Sequence, residues 1–304
     1  MAKHKLVLAT RKSALALAQS RAFAKTVQAL HPKLEIEELT VTTTGDRVQD
    51  RLLSEVGGKG LFVKEIEEAL LDGRADLAVH SLKDVPAEMP SGLVIGCYPR
   101  REDPRDVLIS RTGAKLVELP AGSVVGTSSL RRRMQLEKAR PDLRIVGLRG
   151  NVDTRLRKCR EGEMDAIVLA RAGLLRLGLT AEVTEVLEPE IMLPAVGQGA
   201  LGIEYRAADA EVAALLDPLS HPDTKIAVLA ERATLKTVEG SCHLPVAAFA
   251  MRDGNQMFLR GFLAEADGSR AREHALREAW PSSEVEAEGL GQRLGEVLAR
   301  LDAR

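Results

Sequence analysis

Twice along this chain, short apolar runs alternate with stretches of helical period, and no other feature restricts the fold as tightly. Leu6-Val-Leu-Ala9 reads as a buried strand. Ser13 then caps a helical stretch to residue 30, apolar at Leu15, Ala18, Ala22 and Val27, and His31-Pro32 ends it. Residues 34–41 read as a second strand, 62–71 as a helix, and Asp76-Leu-Ala-Val79 as a third strand. Such alternation makes a parallel α/β sheet, whose ligands sit in loops at the C-terminal ends of the strands. Pro99-Arg-Arg-Glu-Asp-Pro-Arg-Asp106 is charged, carries two prolines and lacks periodicity, so it reads as an interdomain connection. The pattern then restarts, with strands at 123–127, 143–147 and 166–170 and helices at 128–139 and 151–160. The two α/β halves read as structural cousins. Leu201-Gly-Ile-Glu-Tyr205 is a further strand, placed to return the chain to the first half.

After Pro222 the character changes. A helix at 224–237 precedes strands at 246–250, 257–264 and 272–278, with turns at Asp253-Gly-Asn and Asp267-Gly-Ser, and a last helix covers 283–301. This is a small α+β body. The expected division is residues 1–99 with 200–217, residues 100–199, and residues 218–304, which suits a length of 304.

A formal net charge of −1 gives the whole molecule no electrostatic preference for nucleic acid or membrane. The first residues lack the apolar run of a secretory signal, and no stretch approaches a membrane span. Cys97, Cys159 and Cys242 are an odd number with no CxxC and no His pair, so a disulfide framework or metal site is not expected. These points suit a cytoplasmic protein, and nothing suggests an obligate interface, so a monomer is expected.

Charge is instead local. Residues 131–176 hold eleven arginines and two lysines against six acidic residues, a net +7. Arg131 and Arg132 follow Thr127-Ser-Ser-Leu130, Arg149 precedes Gly150-Asn151, and Arg155 lies just inside the next helix. Helix N-termini and planar guanidinium forks together suit carboxylate or phosphate. Arg133, Arg140, Arg157 and Arg160 read as solvated helix faces. With aromatics at 3 %, the stacking platform of a nucleic-acid binder is missing, so a small polyanion fits better. In the first half, Arg11 and Ser13 sit where strand meets helix. Val56-Gly-Gly-Lys-Gly-Leu-Phe62 lacks Walker spacing and reads as a surface loop or as a lid carrying Lys59.

His80-Ser-Leu-Lys83-Asp84-Val-Pro86 follows the third strand. An Asp at this spacing often forms only a turn. Past a buried strand and beside Lys83, its carboxylate could also protonate a leaving amine, stabilise a cation and later remove a proton. Cys242, in Val238-Glu-Gly-Ser-Cys-His-Leu-Pro245, sits in a loop suited to nucleophilic or attachment chemistry, whereas Cys97 and Cys159 read as core filler.

At these residues the sequence resembles the porphobilinogen deaminase family almost from end to end. The matching segments are Thr10-Arg11-Lys-Ser13, Gly57-Gly-Lys-Gly-Leu-Phe-Val-Lys-Glu65, Val79-His-Ser-Leu-Lys-Asp-Val-Pro86, Arg101-Glu-Asp-Pro-Arg-Asp106, Val125-Gly-Thr-Ser-Ser-Leu-Arg-Arg132, Leu148-Arg-Gly-Asn-Val-Asp-Thr-Arg155 and Leu193-Pro-Ala-Val-Gly-Gln-Gly-Ala200. The resemblance implies two α/β domains of the type II periplasmic-binding-protein kind and a small C-terminal α+β domain. It implies a transferase of tetrapyrrole biosynthesis that deaminates four porphobilinogen molecules and joins them head to tail on a dipyrromethane primer, releasing hydroxymethylbilane and ammonia. By the same resemblance the primer is held in a thioether to Cys242 and Asp84 is the catalytic carboxylate. Arg11, Ser13, Lys83, Thr127, Ser129, Arg131, Arg132, Arg149, Arg155 and Arg176 would bind acetate and propionate groups, and Lys59 and Phe62 would belong to a mobile loop over the active site. Ser241 and His243 stand where many relatives have Gly and Gln, and Glu55 replaces a basic residue found in some members. The rival readings are a non-catalytic carboxylate-binding protein and, behind it, a nucleic-acid binder.

Overall fold

The structure, a computed structural model, describes residues 3–44, 63–238, 244–265, 267 and 269–300. It divides into two compact units, one of Met1–Arg101 with Ala200–Lys225 and one of Glu102–Gly199 with Ile226–Arg304.

In the first unit, β1 (Lys5–Arg11) leads through Ser13 into α1 (Ala14–Leu30), followed by β2 (Glu35–Val41), α2 (Lys64–Leu71), β3 (Leu77–Ser81) and β4 (Leu93–Cys97). The Ser13 hydroxyl accepts from the Ala16 N–H at 3.3 Å, which caps α1 as expected. The later strand β10 (Leu201–Arg206) completes a sheet of order β2-β1-β3-β10-β4, and α6 (Ala210–Leu216) follows it. Alternate positions of β1 and β3 supply Leu6, Leu8, Leu77 and Val79 to a core with Phe23 and Val27 of α1. Ala9, Ala78, Ile66 and Leu70 fill the opposite face under α2.

The second unit repeats this plan. Its elements are β5 (Asp106–Ser110), β6 (Val124–Gly126), α3 (Leu130–Ala139), β7 (Arg144–Val146), α4 (Val152–Arg160), β8 (Ala166–Ala170), α5 (Arg171–Arg176) and β9 (Glu185–Leu187), in a sheet of order β7-β6-β8-β5-β9. Placing β6, β7, β8, β5 and β9 over β1, β2, β3, β10 and β4 superposes the two orders, so the two halves are cousins in topology.

The sheets are mixed, not parallel as the alternation predicts. β10 runs antiparallel to β3 and β4, and β5 runs antiparallel to β8 and β9. A strand–helix–strand crossover returns a chain parallel to its start. β5 and β10 are instead the first strands after the chain leaves one sheet for the other, so no such crossover constrains their direction. The charged stretch before β5 also ends sooner than expected, because Asp106 is already a strand residue.

The remainder of the second unit is α7 (Pro222–Val238, which starts in the last residues of the first unit), the antiparallel strands β11 (Val246–Asp253), β12 (Gln256–Leu263) and β13 (Arg272–Ala279), and α8 (Glu284–Arg300). Leu290, Leu294 and Leu298 of α8 pack with Leu259 and Leu263. A Cβ on Gly261 would meet Leu298 Cδ1 at 2.7 Å and Leu294 at 3.0 Å, so a side chain there would force these leucines to shift.

Candidate active site

Two sets of the expected site residues are built, one in each unit. In the first unit, β3 ends at Ser81 and runs straight into the 3-10 turn Leu82–Asp84. Leu82 and Val85 are buried while Lys83 and Asp84 are exposed, so two apolar anchors hold the turn and turn out its charges. Arg11 and Ser13, at the junction of β1 and α1, line a pocket with His80, Ser81, Gln19 and Asp84. Two of its polar lining residues are interlocked: Gln19 Nε2 donates to Ser81 Oγ at 2.9 Å, and Ser81 Oγ donates to Gln19 Oε1 at 3.2 Å. The Asp84 carboxylate has no hydrogen-bond or ionic partner among the described residues, which leaves both oxygens available to a substrate.

Behind this pocket His80 Nε2 lies 2.7 Å from Glu204 Oε2, both side chains buried. Sequence reasoning missed this pair. The signal was available in Leu201-Gly-Ile-Glu-Tyr205, where a glutamate interrupts a strand buried on both sides.

In the second unit, the arginines are not equivalent. Arg131 and Arg132 are only 5 % and 6 % exposed, and both reach Asp106, which is 0 % exposed. Arg131 Nη2 meets Asp106 Oδ2 at 2.8 Å and its Nη1 donates to the Leu193 carbonyl at 2.6 Å. Arg132 Nη2 and Nε donate to Asp106 Oδ1 at 2.7 and 3.1 Å, and its Nη1 to the Val168 carbonyl at 3.0 Å. Burial by itself would raise the Asp106 pKa; the two guanidinium charges outweigh it and hold the carboxyl down to about 2. Gln198 Nε2 donates to the same Oδ1 at 3.0 Å. Arg131 and Arg132 are thus first of all the partners of a buried carboxylate, a role that sequence reasoning did not assign.

Arg149, Arg155 and Arg176 differ. Each is half-buried. Arg155 Nε donates to the Gly150 carbonyl at 2.7 Å, which orients the fork at the start of α4. Arg176 Nη2 donates to the Gly199 carbonyl at 2.7 Å, and burial lowers its pKa, with Glu102 opposing. Arg149 Nε is buried without a hydrogen-bond partner among the described residues. A buried donor left unpaired is costly, and an anionic ligand would supply what it lacks. Thr127 Oγ1 accepts from the Ser129 N–H, and Ser129 Oγ caps α3 at the Arg132 N–H. Both hydroxyls therefore keep their own proton to donate. Arg133, Arg157 and Arg160 are exposed on their helices and pair with Glu137, Glu161 and Glu182, as expected of solvated faces. Arg140 departs from that expectation: it caps the end of α3, is only partly exposed, and donates to the Leu116 and Leu119 carbonyls besides pairing with Asp142.

Cys97 and Cys159 are buried free thiols; burial pushes the Cys97 pKa up to about 12 and raises that of Cys159, which suits core filler. Cys242, Lys59 and Phe62, with Glu55, Ser241 and His243, lie outside the described residues. Among the described residues there is no His, Cys, Asp and Glu group that could hold a metal ion, and no helix is long and apolar enough to cross a membrane.

Two five-stranded sheets of one topology, each with a single reversed strand beside its parallel strands, and an added antiparallel sheet with a helix define a protein of the type II periplasmic-binding-protein-like α/β class with a small α+β part. The periplasmic aliphatic sulphonate binding protein SsuA of Escherichia coli is similar at a TM-score of 0.40 and 14 % identity, over 78 % of this chain and 70 % of that one. Residues 6–214 match the family model of the porphobilinogen deaminase dipyrromethane cofactor binding domain, and residues 225–300 that of the porphobilinogen deaminase C-terminal domain. The porphobilinogen deaminase of Sorangium cellulosum is 61 % identical over 97 % of this chain and 98 % of its own, and that of Syntrophobacter fumaroxidans 51 % over 98 % and 95 %. The chain belongs to the porphobilinogen deaminase family.

Proposed function

We propose that this chain deaminates porphobilinogen and joins four molecules head to tail on a dipyrromethane primer, releasing hydroxymethylbilane and ammonia. Near-complete matches to relatives of that name support this reading, and the observation that carries it is Asp84. An exposed carboxylate without a partner among the described residues shares a pocket with a cation and a hydroxyl.

Each pyrrole brings two carboxylates, and desolvating them without partners would be costly. The donor set fits such a group. Arg149 has an unsatisfied buried Nε, Arg155 and Arg176 are oriented by backbone carbonyls, and Ser13, Thr127 and Ser129 retain hydroxyl protons. Arg11 and Lys83 add positive charge beside Asp84. A guanidinium has five N–H groups, so Arg131 and Arg132 belong to the set through those that Asp106, Leu193 and Val168 leave over. When bound, the primer supplies the electron-rich ring to which the next unit is joined. Asp84 passes a proton to the departing amine of porphobilinogen, and its carboxylate then faces the positive charge left on the substrate carbon.

In this reading Cys242 is the attachment thiol, and Lys59 and Phe62 belong to the loop over the site. Residues 1–99 with 200–217, 100–199 and 218–304 act as three bodies. The protein works as a cytoplasmic monomer that binds no nucleic acid.

The test replaces Asp84. Asp84→Ala should melt like the parent and carry the primer, yet release ammonia from porphobilinogen at least about 100-fold more slowly. Parental turnover in that variant would refute the assignment and favour a carboxylate-binding protein without catalysis.

A further inference from the structure

The pocket beside Asp84 contains a second titratable system that the proposed reaction leaves unused. His80 lines it and meets Glu204 at 2.7 Å with both side chains buried. Register explains the meeting. His80 pairs with Gly202 across β3 and β10, and Glu204, two residues further on, shares its face. A buried carboxylate is tolerated when partnered, and Glu204 uses one oxygen for His80 while Oε1 has no hydrogen-bond partner among the described residues. Glu67 of α2 lies in the same field. Burial first and the Glu204 charge second push its pKa up to about 6, while His80 pulls it down. The groups around His80 are therefore Glu204 from β10, Glu67 from α2, and Arg11 and Asp84 along the pocket.

A carboxylate at Nε2 fixes the tautomer. Nε2 carries the proton, and Nδ1 is the basic nitrogen. Carboxylate–imidazole pairs of this kind make a neutral histidine an effective proton acceptor, because the partner stabilises the imidazolium that forms.

Resting on the reading of Asp84 given above, we propose that His80, held by Glu204, is the proton reservoir of the catalytic pocket. Joining one pyrrole to the next expels an amine as ammonia, which takes up one proton, and releases one proton from a ring carbon. Asp84, having given its proton to the departing amine, takes up the released one and passes it to Nδ1 of His80, while Nε2–H stays on Glu204. In the next cycle that proton passes from Nδ1 to the Asp84 carboxylate, which delivers it to the next departing amine. One proton enters and one leaves per unit joined. His80 is in this sense a positioning residue for protons and acts through Asp84.

The experiment uses the full chain carrying its primer, as parent, His80→Asn and Glu204→Gln. It measures adduct mass, melting, ammonia release from porphobilinogen across the near-neutral range, and the nitrogen shifts of labelled histidine. In the parent, the nitrogen shifts of one imidazole should place its proton on Nε2 and leave Nδ1 bare. His80→Asn should keep adduct and melting temperature, lose about 100-fold in kcat with KM within about twofold, and lose the acid limb of the kcat profile. Glu204→Gln should move that limb to lower pH, because the imidazolium loses its counter-charge. An unchanged kcat profile in His80→Asn, or a parent imidazole protonated on Nδ1, would overturn the proposal. Should His80→Asn not fold, Glu204→Gln and the parent spectrum still decide. A parent that releases no ammonia would sink the reading of the reaction itself, a separate outcome from the tautomer.

Discussion

Asp106 has no exposure and takes bonds from two guanidiniums and an amide. Its charge is a structural need of the arginine-rich half, because Arg131 and Arg132 would otherwise be buried without a counter-charge. Removing one member of a buried pair typically costs about 3–5 kcal/mol, far above the usual ~1 kcal/mol of a surface pair such as Arg133 with Glu137. Asp106→Asn should therefore lose about that much stability in urea at neutral pH, while Glu137→Gln should lose under about 1 kcal/mol; near-equal losses would refute the contrast. The acid dependence follows in sign. Asp106 is held down to about 2 when folded, below its unfolded value near 3.9. Its contribution is thus full above about pH 4 and is lost as pH falls through about 2. The parent should show this acid loss, and Asp106→Asn should lack that share of it.

At the scale of elements, the segment from Leu193 to Ala200 does the most with the fewest side chains. Gln198 Nε2 donates to the Pro104 carbonyl at 2.6 Å and to Asp106, and the buried Glu231 of α7 accepts from the Gly197 and Ala250 N–H groups at 2.7 and 2.9 Å. Gly199 has φ +86°, and a Cβ there would stand 2.5 Å from the Glu102 carbonyl oxygen. Both the backbone conformation and the contact exclude a side chain. Gly199→Ala should cost about 1–3 kcal/mol in thermal or urea unfolding, and a neutral result would show that the segment relaxes freely. The sequence made β1, α1, β3, α3 and α4 legible because their apolar period is clear and Ser13 marks the start of α1. β4 was hidden by Gly92 and Gly96, which break its apolar run, β9 by its three-residue length among charged neighbours, and β5 by its charged first residue, Asp106, whose partners come from α3. The reversed direction of β5 and β10 depends on which strand follows a passage between sheets, and local periodicity carries no trace of that.

For the whole molecule, the candidate site was legible to the extent that its residues occupy strand ends and helix starts. Asp84, Arg11 and Ser13 fall together because β1 and β3 are neighbours in one parallel pairing. His80 with Glu204, and Asp106 under Arg131 and Arg132, were hidden because each joins residues distant in sequence through a sheet register or a buried charge. The central proposal for the whole molecule is that acidic pyrroles are carried covalently on Cys242 and extended there. Its most direct test is the intact mass of the purified protein. The purified protein should weigh more than its polypeptide by one dipyrromethane, an excess absent from Cys242→Ala and rising in pyrrole-sized steps after brief exposure to porphobilinogen. A parent weighing no more than its amino acids, before and after that exposure, would contradict it.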